Sequence, residues 1–374
     1  MAVLEEAQIE SSAQSLSERQ AEVCLKLKRH IEEMPPGSRL PSVRQLMKQY
    51  GVGQISIEKV LGILKQELLL VTRPGDGTYK DCLPDEVAAS PATTGVIELL
   101  VHDATSPFVS AIGHAFAQVM EEEGYYLRIG RYAWNHFPRP LKLAPDVIAV
   151  LVCRGMAMDA ECFMSLENLK VPVVVLDVVP AGTCLDGVGT ANDFGGAIAA
   201  NHLIANGHKN LAVLLSEPES SPNPKARVEG FIRQAQLAGL EEPLVIHRHP
   251  DAGHGSVAIA YDTLFRYLKQ GKPAFTGLFV DSDSGALGAL KACHQAGLSV
   301  PEDMALIGFD DLPEAAFAHP SLTTLRQDLP GWAEQAMAIV KRRLSGEKGP
   351  PIQIAIPPSL IVRESTGGDF QPQR

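Results

Sequence analysis

Carboxylates recur directly after short apolar runs: Asp177 follows VVVL, Ser282 and Asp283 follow LFVD, and Asp310 with Asp311 follows LIGF. HDATSPF, ending at Phe108, follows another such run, and Arg227 opens a helical stretch after the loop SEPESSPNPKA. In parallel α/β sheets, residues just beyond the strand ends line the ligand site. Acids accept from hydroxyls, an arginine donates, and Phe108 offers a flat apolar face. That combination suits a polyhydroxylated small molecule. Each residue also has a plainer use: Asp177 or Asp310 capping a turn, Arg227 in a surface ion pair, Phe108 packing a hinge.

A second polar set lies near the N-terminus. Ile57, Val60, Leu61 and Leu64 recur at helical spacing and leave Gln54, Ile55, Ser56, Glu58 and Lys59 off the apolar stripe. A short helix at 43–50 precedes them across Gly51-Val52-Gly53. Two short helices joined by a tight turn suit the major groove, with Gln54, Ser56, Lys59 and Arg44 reaching base edges or phosphates. A turn at Pro74–Gly77, between 69–71 and 78–79, reads as a wing whose glycines let the backbone approach the minor groove.

Other chemistries do not assemble. Asp281-Ser282-Asp283 is a D-x-D triplet, but no third acid follows at calcium-loop spacing. His247, His249 and His254 cluster without a Cys or Glu to complete a tetrahedral set. There is no G-x-S-x-G, no G-x-G-x-x-G after a strand and no phosphate-binding P-loop. The expectation is therefore no metal, no cofactor and no enzyme.

The elements that must position these residues follow from pattern. A chain of 374 residues with 45% hydrophobic and 21% charged content has core material for two or more domains. Six scattered cysteines, with no C-x-x-C pair, fit reduced thiols in cytosol. No apolar run is long enough to span a bilayer, and the polar N-terminus is unlike a secretory signal. A net charge of −11 argues against a nucleic-acid partner until it is divided. Residues 16–80 carry eleven Lys/Arg against seven Asp/Glu, a net of +4, leaving −15 for the rest. Only one module is then suited to phosphate.

The organisation expected is a disordered tail at 1–15, a small α+β winged helix-turn-helix at 16–80, a linker at 81–94, a two-lobed α/β domain with parallel sheets at 95–366, and a tail at 367–374. In the first module Cys24, Leu27 and Ile31 mark one helix, and Ser42 is the expected cap of the next. Beyond the linker, strands are expected at 96–101, 125–129, 147–152, 171–176, 211–215, 277–280 and 304–309. Helices at 108–123, 194–206 and 287–296 lie between them.

The run PGSRLPSVRQLMKQYGV from Gly37, the helix after it and RPGDGTY resemble the GntR-type winged helix. That resemblance adds Arg39, Ser42, Arg73, Gly75 and Gly77 to the DNA-contacting set of Arg44, Gln54, Ser56 and Lys59. The chain departs from the family's usual Ser-Arg at Gly53-Gln54, and from its helix-ending Gly at Leu68. ANDFGGAIAANHLIANGHKNLAVL, KARVEGF, DSDSGALGALKACHQAGLSVPEDMALIGFDD and HPSLTTLRQD resemble the LacI-type effector domain, whose fold is shared with periplasmic sugar-binding proteins. The resemblance implies effector contacts from Phe108, Asp177, Arg227, Ser282, Asp310 and Gln327, with Ser282 where many members have Asn. It also implies a cytoplasmic homodimer, paired through both lobes with the helix near 108–123 in the interface. Such a dimer binds double-stranded operator DNA and a small polar effector, a monosaccharide or derivative, and regulates transcription as a repressor, or alternatively an activator, without a membrane partner. Two other readings stay open: a cytosolic sugar-binding or sugar-modifying protein whose first eighty residues do not bind DNA, and a second module that binds a protein.

Overall fold

The computed structural model describes residues 18–34, 38–66, 70–73, 77–80, 95–102, 107–133, 136–138, 140–154, 158–177, 182–218, 221–249, 252 and 255–368. The expected tail at 1–15, the linker at 81–94, the wing-tip Gly75, Leu68, His254 and the last six residues lie outside them. Residues 1–92 and 93–374 segregate into two units.

In the first unit, helices α1 (Glu18–Glu33), α2 (Val43–Tyr50) and α3 (Gln54–Gln66) precede strands β1 (Leu70–Arg73) and β2 (Gly77–Lys80). Ser42 caps α2 as expected. Its backbone N–H donates to Gln45 Oε1 at 2.8 Å, and Gln45 N–H donates to Ser42 Oγ at 3.4 Å. Gly51 ends α2 at φ 63, a conformation that costs a side-chain-bearing residue roughly 1–2 kcal/mol, and donates to Met47 O at 2.9 Å. The stripes converge as one core of Val23, Leu27, Ile31, Leu40, Leu46, Ile57, Val60, Leu61 and Leu64. Cys24, expected on the stripe, is only half-buried, and Val23 takes the inner place. Strands β1 and β2 pair antiparallel, and Leu40 N–H donates to Thr78 O at 2.8 Å, tying the segment before α2 to the hairpin.

The second unit holds two six-stranded sheets. The first takes β3 (Val96–His102), β4 (Tyr126–Tyr132), β5 (Val147–Cys153), β6 (Val173–Leu176), β7 (Asp186–Thr190) and β13 (Gln353–Ile356) in the order β13-β7-β6-β5-β3-β4. Every neighbouring pair in it is parallel. The second takes β8 (Leu211–Leu214), β9 (Leu244–Ile246), β10 (Gly277–Val280), β11 (Ala305–Asp310), β12 (Thr323–Arg326) and β14 (Ser359–Ile361) in the order β14-β12-β11-β10-β8-β9. Only β14, at its edge, runs antiparallel. Continuous apolar runs suit such sheets because both faces are covered. Leu99 and Leu151 enter the core on one face of the first sheet, and Leu100 and Val150 enter the other.

Helices α4 (Pro107–Glu122), α5 (Ala160–Glu167) and α11 (Leu329–Leu344) belong to the first lobe. Helices α6 (Asn192–Ala205), α7 (Pro222–Leu237), α8 (Ser256–Leu268), α9 (Asp283–Gln295) and α10 (Pro313–Phe317) belong to the second. The chain therefore crosses between lobes after β7, returns after β12 and crosses again after β13. All seven expected strands occur, with ends shifted by up to three residues. Strands β7, β9, β12, β13 and β14 were not expected. Their sequences, such as DGVGT and SLI, are short or lack an apolar run.

Helices α6 and α7 touch at glycine. A Cβ on Gly196 would lie 1.9 Å from the Arg227 carbonyl oxygen, so only glycine permits this crossing. Gly196→Ala should lower the unfolding free energy of the second unit by about 3 kcal/mol. Gly62→Ala, in open space on exposed α3, should raise that of the first by about 0.5–1 kcal/mol. Urea melts of both variants measure this; equal effects would show that the close approach is not real.

Candidate functional site

Five of the six residues expected to hold a ligand line one cleft of about 920 Å³: Phe108, Asp177, Arg227, Ser282 and Asp310. Asp177 follows β6 of the first sheet, and Asp310 ends β11 of the second. Both sit at positive φ, 91° and 123°. Such backbone costs a non-glycine residue about 1–3 kcal/mol and clusters at functional sites.

Arg227 lies in the second turn of α7, further in than the helix start expected from sequence, and is 6% exposed. A surface ion pair is thereby excluded. Its Nε donates to Asn192 Oδ1 at 2.8 Å and its Nη1 donates to the Asp281 carbonyl at 2.6 Å. The guanidinium lies over the Phe309 ring at 3.7 Å and stands 3.6 Å from Asp310 Oδ1. Burial pushes the Asp310 carboxyl well above the usual carboxylate range, and Arg227 opposes that shift. Asp177 is raised by burial in the same way, opposed by Arg227, by the Asn223 amide that donates to it, and by Arg154.

Gln327 is the exception. It lies at the second lobe crossover, as expected, but behind the cleft wall. Its Nε2 donates to Asp310 Oδ1 at 2.8 Å, and its Oε1 accepts from Thr190 Oγ1 at 2.7 Å. It orients Asp310 and ties the end of β7 to the end of β11. Phe108 is half-buried and meets Trp332 edge-on at 6.2 Å, so it both lines the cleft and packs beneath it.

The D-x-D triplet has structural work. Asp281 accepts from Ser216 N–H and Glu217 N–H at 3.0 Å, and burial raises its carboxyl to about 6. Ser282 caps α9 by accepting from Gly285 N–H at 3.2 Å. Asp283 accepts from Leu312 N–H at 2.8 Å and Thr324 Oγ1 at 2.6 Å. Among the described residues no group of three His, Cys, Asp or Glu side chains is placed to hold a metal.

Sequence reasoning missed Arg154, Asn192, Ser216, Glu217, Asn223 and Arg248. The residue after each strand was the right signal. Applied to β5, β8 and β9 as it was to β6, it finds Arg154 directly and Ser216 and Arg248 two places on.

On the first unit, Arg39, Ser42, Arg44, Gln54 and Lys59 are exposed, and Ser56 is half-buried. Ser42 is committed to its cap, Gln54 Nε2 donates to Glu58 Oε1 at 2.8 Å, and Ser56 Oγ accepts from Gln20 Nε2 at 3.1 Å. Ile55, between them on the first turn of α3, is 81% exposed. Arg73 and Gly77 flank the turn of the β1–β2 hairpin. Gly53 brings no side chain to the start of α3; its carbonyl accepts from Ser56 N–H at 3.1 Å and Ile57 N–H at 3.2 Å.

Together the features are those of a ligand-binding regulator with a DNA-binding module. Residues 19–79 match the bacterial regulatory proteins of the gntR family, and residues 200–366 match the periplasmic binding protein-like domain. The chain is 31% identical over 283 residues to the HTH-type transcriptional repressor PurR of Histophilus somni, covering 73% of this chain and 82% of that one. It is 25% identical over 339 residues to the HTH-type transcriptional regulator MalR of Streptomyces coelicolor, covering 85% and 94%. In three dimensions it resembles a LacI family transcriptional regulator from Enterococcus faecium with bound ribose (TM-score 0.61, 22% identity, 74% of this chain and 99% of that one). The CelR–cellobiose complex is similar at TM-score 0.60 and 21% identity, with 87% and 100% covered. The chain belongs to the LacI-type family of HTH transcriptional regulators, with a gntR-family module at its N-terminus. Among the described residues no helix is long and apolar enough to cross a membrane.

Removing one partner of a buried ion pair leaves the other uncompensated. Arg227→Met should therefore lower the unfolding free energy of the second unit by about 3 kcal/mol, and adding Asp310→Asn should recover about 1 kcal/mol of it. Denaturant melts of the double-mutant cycle measure both, and strictly additive losses would show that the pair is not coupled.

Proposed function

We propose that this protein is a cytoplasmic homodimeric repressor. It reads operator DNA with α2, α3 and the β1–β2 wing, and it is released or engaged by a sugar held in the cleft of the second unit. It performs no catalysis. The single observation that carries the reading is the cleft: acids at positive φ from both sheets, with one buried arginine paired to Asp310 and acting on Asp177, in a chain whose other unit presents the polar first turn of a helix-turn-helix. Carboxylates and an arginine match the hydroxyls of a sugar, and the solved relatives named above hold ribose and cellobiose.

Arg39, Arg44 and Lys59 supply phosphate and base-edge contacts, joined by Gln54, Ser56 and the wing residues Arg73, Gly75 and Gly77. Ser42 contributes by fixing the start of α2. Exposed Ile55 adds an apolar contact suited to a thymine methyl. For the dimer, α4 and the neighbouring edge strand β4 are the proposed interface; Tyr126 and Ile129 of β4 are exposed there. Pairing raises DNA affinity through effective concentration. Light scattering at micromolar concentration should find a dimer, and a monomer would rule this arrangement out.

A ligand bridging the two lobes favours the closed arrangement by its differential contacts, and shifts DNA affinity by no more than that difference. The test begins by selecting an operator from random duplex DNA with the full-length protein. Arg44→Ala should then weaken operator binding by about 1–3 kcal/mol at fixed salt. Ile55→Ala should erase any preference for thymine over uracil in that operator. In the same assay Asp310→Asn should remove the response to effector while leaving ligand-free DNA affinity within about threefold, or ~0.6 kcal/mol. Failure to select any duplex would overturn the DNA-binding reading and favour a sugar-binding protein of another kind.

A further inference from the structure

The cleft holds more positive charge than a neutral sugar requires. Arg154 follows β5 of the first sheet and Arg248 follows β9 of the second, and both line the same cleft. Each is half-buried. Neither side chain makes an ion pair or hydrogen bond to a described residue. Arg154 lies 5.6 Å from the centroid of the Phe163 ring, which covers one face of the guanidinium and leaves its N–H edge uncommitted.

No cleft acid bonds these cations, although Asp177 lies near enough to Arg154 to act on its charge. Asp310 is held by Arg227 and Gln327, and Asp177 by Asn223. Glu217 accepts from Ser256 Oγ at 2.5 Å and Ser282 Oγ at 3.4 Å. Half-burying a guanidinium whose N–H groups are unbonded is unfavourable; burial lowers the Arg154 pKa, and the nearby Asp177 charge only opposes that shift. An arginine pair contributed by two lobes has a matching ligand chemistry: planar forks that grip the oxygens of a phosphate or carboxylate bidentately.

We infer that the effector is an anionic sugar, bearing a phosphate or a carboxylate, and that Arg154 and Arg248 grip the anionic group from the two lobes. The inference rests on the sugar reading above and narrows its ligand class. An anion held by both arginines satisfies two guanidinium edges that no cleft acid bonds, and does so only when the lobes are together, so it also supplies part of the differential binding that closure needs.

The experiment is calorimetric titration and thermal melting of the full-length protein against matched pairs. These are glucose with glucose 6-phosphate, ribose with ribose 5-phosphate, and glucose with glucuronate, with inorganic phosphate as a control. At least one anionic member should bind tenfold or more tightly than its neutral parent. Arg154→Gln and Arg248→Gln should each reduce that preference by tenfold or more. The phosphate and glucuronate arms separate a phosphorylated effector from a sugar acid. The inference is overturned if neutral parents bind as tightly as their anionic partners. It is equally overturned if both substitutions leave the preference unchanged, or if inorganic phosphate matches the sugar phosphates in the wild type and in both variants. If no sugar of either kind binds, the sugar reading itself fails.

Discussion

A buried guanidinium organises the second unit. Taking an ion from water costs several kcal/mol after relaxation, so Arg227 is tolerable only with its donors satisfied and a counter-charge nearby. The Asp281 carbonyl, Asn192 and Asp310 meet that need from three different elements, and the Phe309 ring supports the planar face. The Gly196 contact at the Arg227 backbone lets α7 approach α6 closely enough for the side chain to reach them. Positive φ at Asp310 and the cap that Ser282 places on α9 belong to the same arrangement.

The consequence reaches both sheets. Thr190, at the end of the last strand before the first crossing, bonds Gln327, at the second crossing, and Gln327 bonds Asp310. Asn192, one residue into α6, links Arg227 to the Thr190 carbonyl. The crossovers are therefore wired to the acids that face the cleft. Asp177 and Asp310 are both pushed toward the neutral acid by burial and held toward the carboxylate by Arg227. A ligand that supplies donors to these acids acts on the same balance that fixes the lobe junction, which gives ligand binding a physical route to lobe geometry.

The first unit depends on a different economy. Among the described residues its core is nine apolar side chains, and its order comes from local devices: the Ser42–Gln45 capping box, the left-handed Gly51, and the Leu40–Thr78 bond to the hairpin. The first turn of α3 lacks a capping side chain. Gln54 and Ser56 are already engaged by Glu58 and Gln20, and Ile55, where the helix begins, is the most exposed large apolar side chain among the described residues. A β-branched residue on an open helical turn is locally unfavourable, the kind of inconsistency that accompanies recognition surfaces.

Local pattern determined a great deal here. Period and punctuation gave α2 with its Ser42 cap, α3 with its stripe, and the seven apolar strands, because each is encoded within a few consecutive residues. The motif succession pointed to the two units and to Phe108, Asp177, Arg227, Ser282 and Asp310 in one cleft. Pattern was silent on β7, β9, β12, β13 and β14. Those strands are short or glycine-bearing, and they exist through pairing with partners far along the chain. Tertiary structure alone decided that Gln327 stands behind Asp310 rather than in the cleft, and that the D-x-D triplet pins loops and caps a helix. It also decided that Arg154 and Arg248, some ninety residues apart in sequence, meet in one cavity. Burial, charge pairing and the convergence of two lobes are properties of residues distant in sequence, and no local period records them.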